Sequence, residues 1–180
     1  MSVVNIVSVN VLSNPAKFSE PFRFEIAYEC VESLPDDLEW KIVYIGSAED
    51  DLKDQVLDTV FVGPVTKSVV KFEFQADPPD PSKIPENDLL GVTAVFLKGS
   101  YREKEFVRVG YYVHNYYEDT ELAENPPPTP DLDKIMRNIL SDKPRVTKFP
   151  IDWSDGDVIS TTAATEMNSS QLDLVTFIGP

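Results

Sequence analysis

The sequence predicts an all-β protein built from two antiparallel sheets. Three observations carry that reading. Apolar and polar residues alternate with period two in short segments. Seven such segments recur at sandwich-like spacing, and turns rich in proline separate them. Together they indicate a β-sandwich of immunoglobulin-like type, without the paired cysteines of antibody domains.

The first strand spans 3–12 and stops at Asn14-Pro15. Residues 22–30 alternate almost perfectly, from Phe22 to Cys30, and 38–45 follow with Trp40, Ile42 and Tyr44 as the heavier row. Residues 55–62 end at Gly63-Pro64, and 68–76 set Lys71, Glu73 and Gln75 against Val70, Phe72 and Phe74. The last two strands are 91–97 and 105–115. The proline run 126–130 is a stiff linker. One short helix is expected near the C-terminal end of the domain, over 131–140, with Ile135, Met136, Ile139 and Leu140 on one face and Asp131 and Asp133 in its first turn. Residues 144–150 form a short strand with a proline at each end, which suits a sheet edge. The expected organisation is one domain over 1–153 and a mostly disordered tail over 154–180, poor in bases and rich in Ser, Thr and Asp.

Composition narrows function. The net charge is −15. All 16 bases but 27 of the 31 acids fall before residue 154, so the domain itself is acidic. That argues against gripping nucleic-acid phosphates and favours a basic partner. A single cysteine, Cys30, permits no internal disulfide, and Met1 to Asn5 do not read as a signal peptide. No apolar run has the ~18 residues of a membrane span. A soluble chain in a reducing compartment is expected.

Chemistry is not indicated. His114, the one histidine, has no recognisable partner, and no Cys/His cluster has zinc-ligand spacing. No glycine-rich loop cradles phosphate, and nothing singles out a carboxylate pair. No cofactor or metal is expected. The acidic loop 49–54 lacks calcium-loop spacing and contains Lys53; a solvated loop, a calcium-dependent membrane loop and a rim for a basic helix stay open as readings.

The informative feature is a strand that is apolar on both faces. Residues 91–97 carry one row of Thr93, Val95 and Leu97 and another of Val92, Ala94 and Phe96. Only one row can enter a core shared with a facing sheet. If 38–45 and 105–115 are its neighbours, the outward rows merge Val43, Ile45, Val92, Ala94, Phe96, Arg108 and Tyr112, with Phe106 beside them unless a bulge intervenes. Asp54 and Asp88 flank that surface. It is either covered by a terminal segment, such as 172–180, or kept for an amphipathic basic helix, while the proline-bracketed edge could accept an added strand.

With these segments assembled, the chain closely resembles the anti-silencing function histone chaperone family over about 3–153. The resemblance rests on Leu12-Ser13-Asn14-Pro15, Asp37-Leu38-Glu39-Trp40-Lys41, Asp54-Gln55-Val56-Leu57-Asp58, Phe106 through Val113, Glu124-Asn125-Pro126-Pro127, Arg137-Asn138-Ile139-Leu140 and Pro144-Arg145-Val146-Thr147. It implies a non-enzymatic, monomeric chaperone that binds the heterodimer of the third and fourth core histones and passes it on in nucleosome assembly and disassembly. It implies a nuclear location with a cytoplasmic pool, and neither membrane nor nucleic acid as direct partner. Ile45, Ser47, Asp54, Asp88, Val92, Ala94, Phe96, Arg108, Tyr111 and Tyr112 would contact the third histone. Arg145, Val146, Thr147 and Phe149 would pair with a strand of the fourth. Asp36, Asp37, Lys41, Val60, Val62 and Phe72 would form a far groove for B-domain peptides of downstream chaperones. Ala94 stands where the family usually has valine, a loss at the centre of the histone face worth roughly 1–2 kcal/mol at about 0.8 per methylene, and Phe96, larger than the usual leucine, would offset it.

Overall fold

A computed structural model describes residues 2–154. Its strands are β1 (Val4–Leu12), β2 (Ala16–Lys17), β3 (Phe22–Cys30), β4 (Leu38–Ile45), β5 (Asp54–Val62), β6 (Ser68–Ala76), β7 (Gly91–Tyr101), β8 (Lys104–Tyr117), β9 (Ile135–Ile139) and β10 (Arg145–Lys148). One sheet has the order β1-β3-β6. The other runs β2-β9-β8-β7-β4-β5, and β10 pairs beside β9 on β8. Every pairing is antiparallel. The result is the all-β sandwich expected from the alternation.

The core is aromatic and follows period two. Phe22, Phe24, Ile26 and Tyr28 of β3 face Leu38, Trp40, Ile42 and Tyr44 of β4, and all are at most 1 % exposed. Tyr28 lies 5.6 Å from Trp40, and Phe24 stacks on Tyr111 at 6.0 Å. Edge-to-face and offset contacts of this kind add to area burial. Val7 is the exception along β1. The register slips between Ile6 and Ser8, and Val7 is left 59 % exposed.

The expected helix over 131–140 is a strand. After a single 3-10 turn, Leu132–Lys134, the chain extends as β9 and pairs with β8. Ile135, Arg137 and Ile139 point inward. The inward row contains an arginine, so it does not read as an apolar alternation. Arg137 sits 3.8 Å above the Phe22 ring and donates to the carbonyls of Glu20 and Pro21 at 2.8 and 3.0 Å. Burial pulls its pKa down to about 10. Asn14 clamps the same strand: its amide donates to the Ile139 carbonyl and its side-chain oxygen accepts from the Ile139 N–H, both at 2.8 Å. The helix that does form, α1 (Thr120–Glu124), is capped by Asp119, whose carboxylate accepts from Glu121 and Leu122.

A bulge in β8 shapes the site. Gly99 pairs with Val107 and Ser100 with Glu105, so Phe106 is the extra residue. Its ring drops into the core against Trp40 at 5.9 Å and Trp153 at 4.9 Å. Phe106 therefore does not share the outward row. Gly99 makes room: a Cβ there would come within 2.8 Å of the Trp40 ring and 3.0 Å of Phe106. Gly99→Ala is expected to lose about 1–3 kcal/mol of stability, the usual cost of overpacking, read as a lower urea midpoint with an unchanged slope.

Candidate functional site

The outer face of the seven-stranded sheet, turned away from β1-β3-β6, carries its own apolar cluster. Strand pairing sets Val43 opposite Phe96, Phe96 opposite Gly110, and Ala94 opposite Tyr112. Val43, Ile45, Ala94 and Phe96 form a cluster separate from the main core, with Tyr112 packed on it. The four are at most 5 % exposed, while Val92 on the same row is 64 % exposed. The outward rows thus meet. Residues 172–180, the segment weighed as a cover, lie outside the described residues.

Arg108 closes one side. Its guanidinium stands 5.3 Å from the centre of the Phe96 ring and 5.9 Å from that of Phe149. It makes a two-pronged pair with Glu105, Nε to Oε2 at 2.9 Å and Nη2 to Oε1 at 3.1 Å. Residues three apart on a regular strand face opposite sides; the bulge at Phe106 turns Glu105 onto the face of Arg108.

Asp54 opens β5 opposite Ile45. Burial pushes its pKa up to about 6; Lys98 and Arg108 pull it down, and Asp51 and Asp50 push it up. The turn before it is tight. A Cβ on Gly46 would meet the Lys53 carbonyl oxygen, and the buried Ser47 hydroxyl accepts from the Glu49 N–H at 3.3 Å. Asp50 caps the 3-10 turn Asp51–Lys53, leaving Leu52 88 % exposed. No group of three or more acids, histidines or cysteines able to hold a metal occurs among the described residues. Asp88 is exposed in the turn Glu86–Asp88 just before β7.

Tyr111 lies elsewhere. It belongs to the inward row of β8, 1 % exposed in the main core, and burial raises its pKa to about 12. Period two separates it from Tyr112, so both cannot serve one face.

β10 pairs with Val107 through Gly110 of β8 and with no other strand among the described residues. Val146 is 48 % exposed, Arg145 is exposed and Thr147 half-buried. Phe149 is buried and donates its N–H to the Phe106 carbonyl at 2.9 Å.

The second group of residues is divided. Val60 and Val62 of β5 and Phe72 of β6 are half-buried against the main core, where the edge strands of the two sheets come together. Phe72 meets Tyr28 edge-on at 6.2 Å. Asp37 is exposed beside Gly63, where a Cβ would run into its Oδ1. Asp36 pairs with Arg102. Lys41 is apart from them, on the outer face of β4, paired with Glu39 at 3.5 Å. Lys98 and Glu105 went unnoticed in the sequence. Lys98 continues the Val92-Ala94-Phe96 row, but the strand reads as ending at Leu97; Glu105 reaches the face only through the bulge.

The fold is an all-β sandwich with a charge-fringed apolar layer on the outer face of its larger sheet, and its class is given by its relatives. A profile described as ASF1 like histone chaperone matches residues 1–154. "Probable histone chaperone ASF1A" of Arabidopsis thaliana is 58 % identical over 173 residues, covering 96 % of this chain and 87 % of that protein. "Histone chaperone asf1" of Drosophila melanogaster is 58 % identical over 158 residues, with 88 % and 72 % covered. "Histone chaperone asf1" of Dictyostelium discoideum is 52 % identical over 154 residues, with 86 % and 100 % covered. The chain belongs to the ASF1-like histone chaperone family, a family of chaperones and not of enzymes.

Asp54 yields a signed prediction. Its folded pKa stands above the ordinary carboxylate value, so the stability it gives is complete below about pH 4 and lost as pH rises through about 6. Asp54→Asn is therefore expected to stabilise the protein at pH 7 by about 1 kcal/mol, after discounting for solvent screening, and to change nothing below pH 4. Paired urea titrations at the two pH values test this.

Proposed function

We propose that residues 1–153 form the binding domain of a nuclear histone chaperone, with a cytoplasmic pool, that takes the heterodimer of the third and fourth core histones and hands it to downstream chaperones. The observation that carries this reading is the second apolar cluster on the outer sheet face. A sandwich needs one core; Val43, Ile45, Ala94 and Phe96 make a further cluster on the opposite side of the same sheet. An amphipathic helix of the third histone would lie on it and on Val92, with its basic side chains at Asp54 and Asp88. The domain's acidity steers such a partner in. The side of β10 that pairs with no described strand suits an added strand from the C-terminal tail of the fourth histone. Asp36, Asp37, Val60, Val62 and Phe72 would take basic B-domain peptides; Lys41, on the other face, stands outside that groove.

Val92 is exposed, so Val92→Glu tests the face without touching the core. It and Arg108→Glu are each expected to weaken binding of the purified histone heterodimer at least about tenfold, the scale of one lost anchor. Wild-type affinity in both variants overturns the assignment of this face. Asp37→Ala is expected to weaken B-domain peptides several-fold while histone affinity stays within twofold, measured by fluorescence anisotropy; equal loss of both ligands contradicts two separate sites.

A further inference from the structure

The apolar cluster on the outer face is more deeply buried than its place in the fold accounts for. Side chains on the outer side of a two-layer sandwich face water unless a further layer lies over them. Val43, Ile45, Ala94 and Phe96 are nonetheless buried, and Ala94 fully so. The burial has sharp borders. Val92, two residues before Ala94 on the same row, is exposed, and so is Val56, the register partner of Val43 on β5. The described cover lies to one side. Tyr112 stands opposite Ala94 on β8, and Arg108 and Phe149 flank the Phe96 ring. Val43 and Ile45 lie on the other side of β7, on β4. Lateral neighbours of this kind shade a flank; they do not roof a patch two strands wide.

The chain carries a segment suited to that roof. Residues 172–178 read Leu-Asp-Leu-Val-Thr-Phe-Ile, with five apolar side chains among seven and no base. Leu174 and Ile178 share a side in either regular conformation, at even spacing in a strand and at i and i+4 in a helix. The span is also right. The described chain leaves the domain beyond Trp153, whose ring packs on Phe106 at 4.9 Å. Ala94 lies opposite Tyr112, which is six residues along β8 from Phe106, or roughly 20 Å. Residues 154–171 join Trp153 to Leu172. A polar linker of that length has a coil r.m.s. span of about 23 Å. A tether whose mean length matches the span holds its segment at an effective concentration of about a millimolar. From 154 to 180 there are acids and no base, so the hold on an acid-fringed face is apolar rather than electrostatic.

We propose that residues 172–178 of the same chain lie on this cluster as a tethered, displaceable occupant of the docking face. The inference rests on the reading of that face as the histone surface. The segment covers the apolar patch but offers nothing to Asp54 or Asp88, because it has no base. A basic amphipathic helix covers the same patch and adds charge pairs at both acids, so it displaces the segment. An apolar peptide without bases has to overcome the tether unaided. The occupant thereby keeps the patch from indiscriminate apolar contacts and sharpens the choice for a partner that is both apolar and basic.

The test uses the full chain and the purified heterodimer of the third and fourth core histones. Leu174→Ser, Phe177→Ser and Ile178→Ser are combined, which removes apolar surface without adding charge. A competitor tethered at about a millimolar, with an intrinsic affinity of about 0.1–1 mM, weakens a ligand about two- to tenfold. The triple variant is therefore expected to bind the heterodimer that much more tightly. Its Val43, Ile45 and Ala94 methyl NMR signals are expected to move from their wild-type positions, while those of Val95 and Val113 in the main core stay. A nitroxide on Ser170→Cys, which reacts there because Cys30 is buried, is expected to broaden the same three methyls until heterodimer is added. Unchanged methyls with unchanged affinity overturn the occupant; if Val92→Glu and Arg108→Glu still lose binding, the docking face stands without it. Moved methyls with unchanged affinity show that segment and histones do not compete, which overturns the displacement and the placing of histones on this face together. Broadening confined to β10 overturns the placing of the segment. Broadening that passes from nitroxide-bearing chains to isotope-labelled chains in a mixture makes a second copy the occupant and overturns the cover within one chain.

Discussion

Strand β7 is asked to be apolar in both directions, and most of the molecule follows from that. Val95 and Leu97 fill the sandwich core; Ala94 and Phe96 build a cluster on the far side. Such a strand must be central, because an edge would leave both rows without flanking side chains. It is central, between β4 and β8. Its neighbours then inherit the same division, with Trp40 and Ile42 inward, Val43 and Ile45 outward, Tyr111 inward and Tyr112 outward. The sheet is a partition with an apolar layer on each side rather than the cover of one core.

The bulge opposite Gly99 and Ser100 is the device that gives the outer layer its charge. By adding one residue it sends Phe106 inward and turns Glu105 outward. The same step fills the core under Trp40 and supplies the anion that holds Arg108 between the Phe96 and Phe149 rings. A pair as buried as this one is costly to break, since the survivor is left with an uncompensated charge. It fixes the guanidinium plane before any partner arrives.

Much of this was legible in the residues. Period two gave β3, β4 and β6 with their ends intact, and the double-faced pattern of 91–97 marked the outer cluster. What escaped was whatever depended on contacts distant in sequence. β9 reads as a helix because Arg137 interrupts its inward row. Only the carbonyls of Glu20 and Pro21 and the Phe22 ring make an inward arginine sensible. The side taken by Phe106 stays open and Glu105 goes unnoticed because a bulge shifts parity without leaving a mark in composition. Tyr111 and Lys41 were grouped with residues on the opposite side of their sheets, because motif matching ignores which way a strand side chain points.

The short strand β10 has a further consequence. An unprotected β-edge is an invitation to self-pairing, and β10 carries features that discourage it. Pro144 and Pro150 bracket it, and Arg145 and Lys148 stand at its two ends. The prolines cap the ladder at four residues, too short for a second copy to extend, and the cations repel an identical strand brought alongside. A short edge bracketed by prolines and carrying a cation at each end is thereby discouraged from pairing with a second copy of itself.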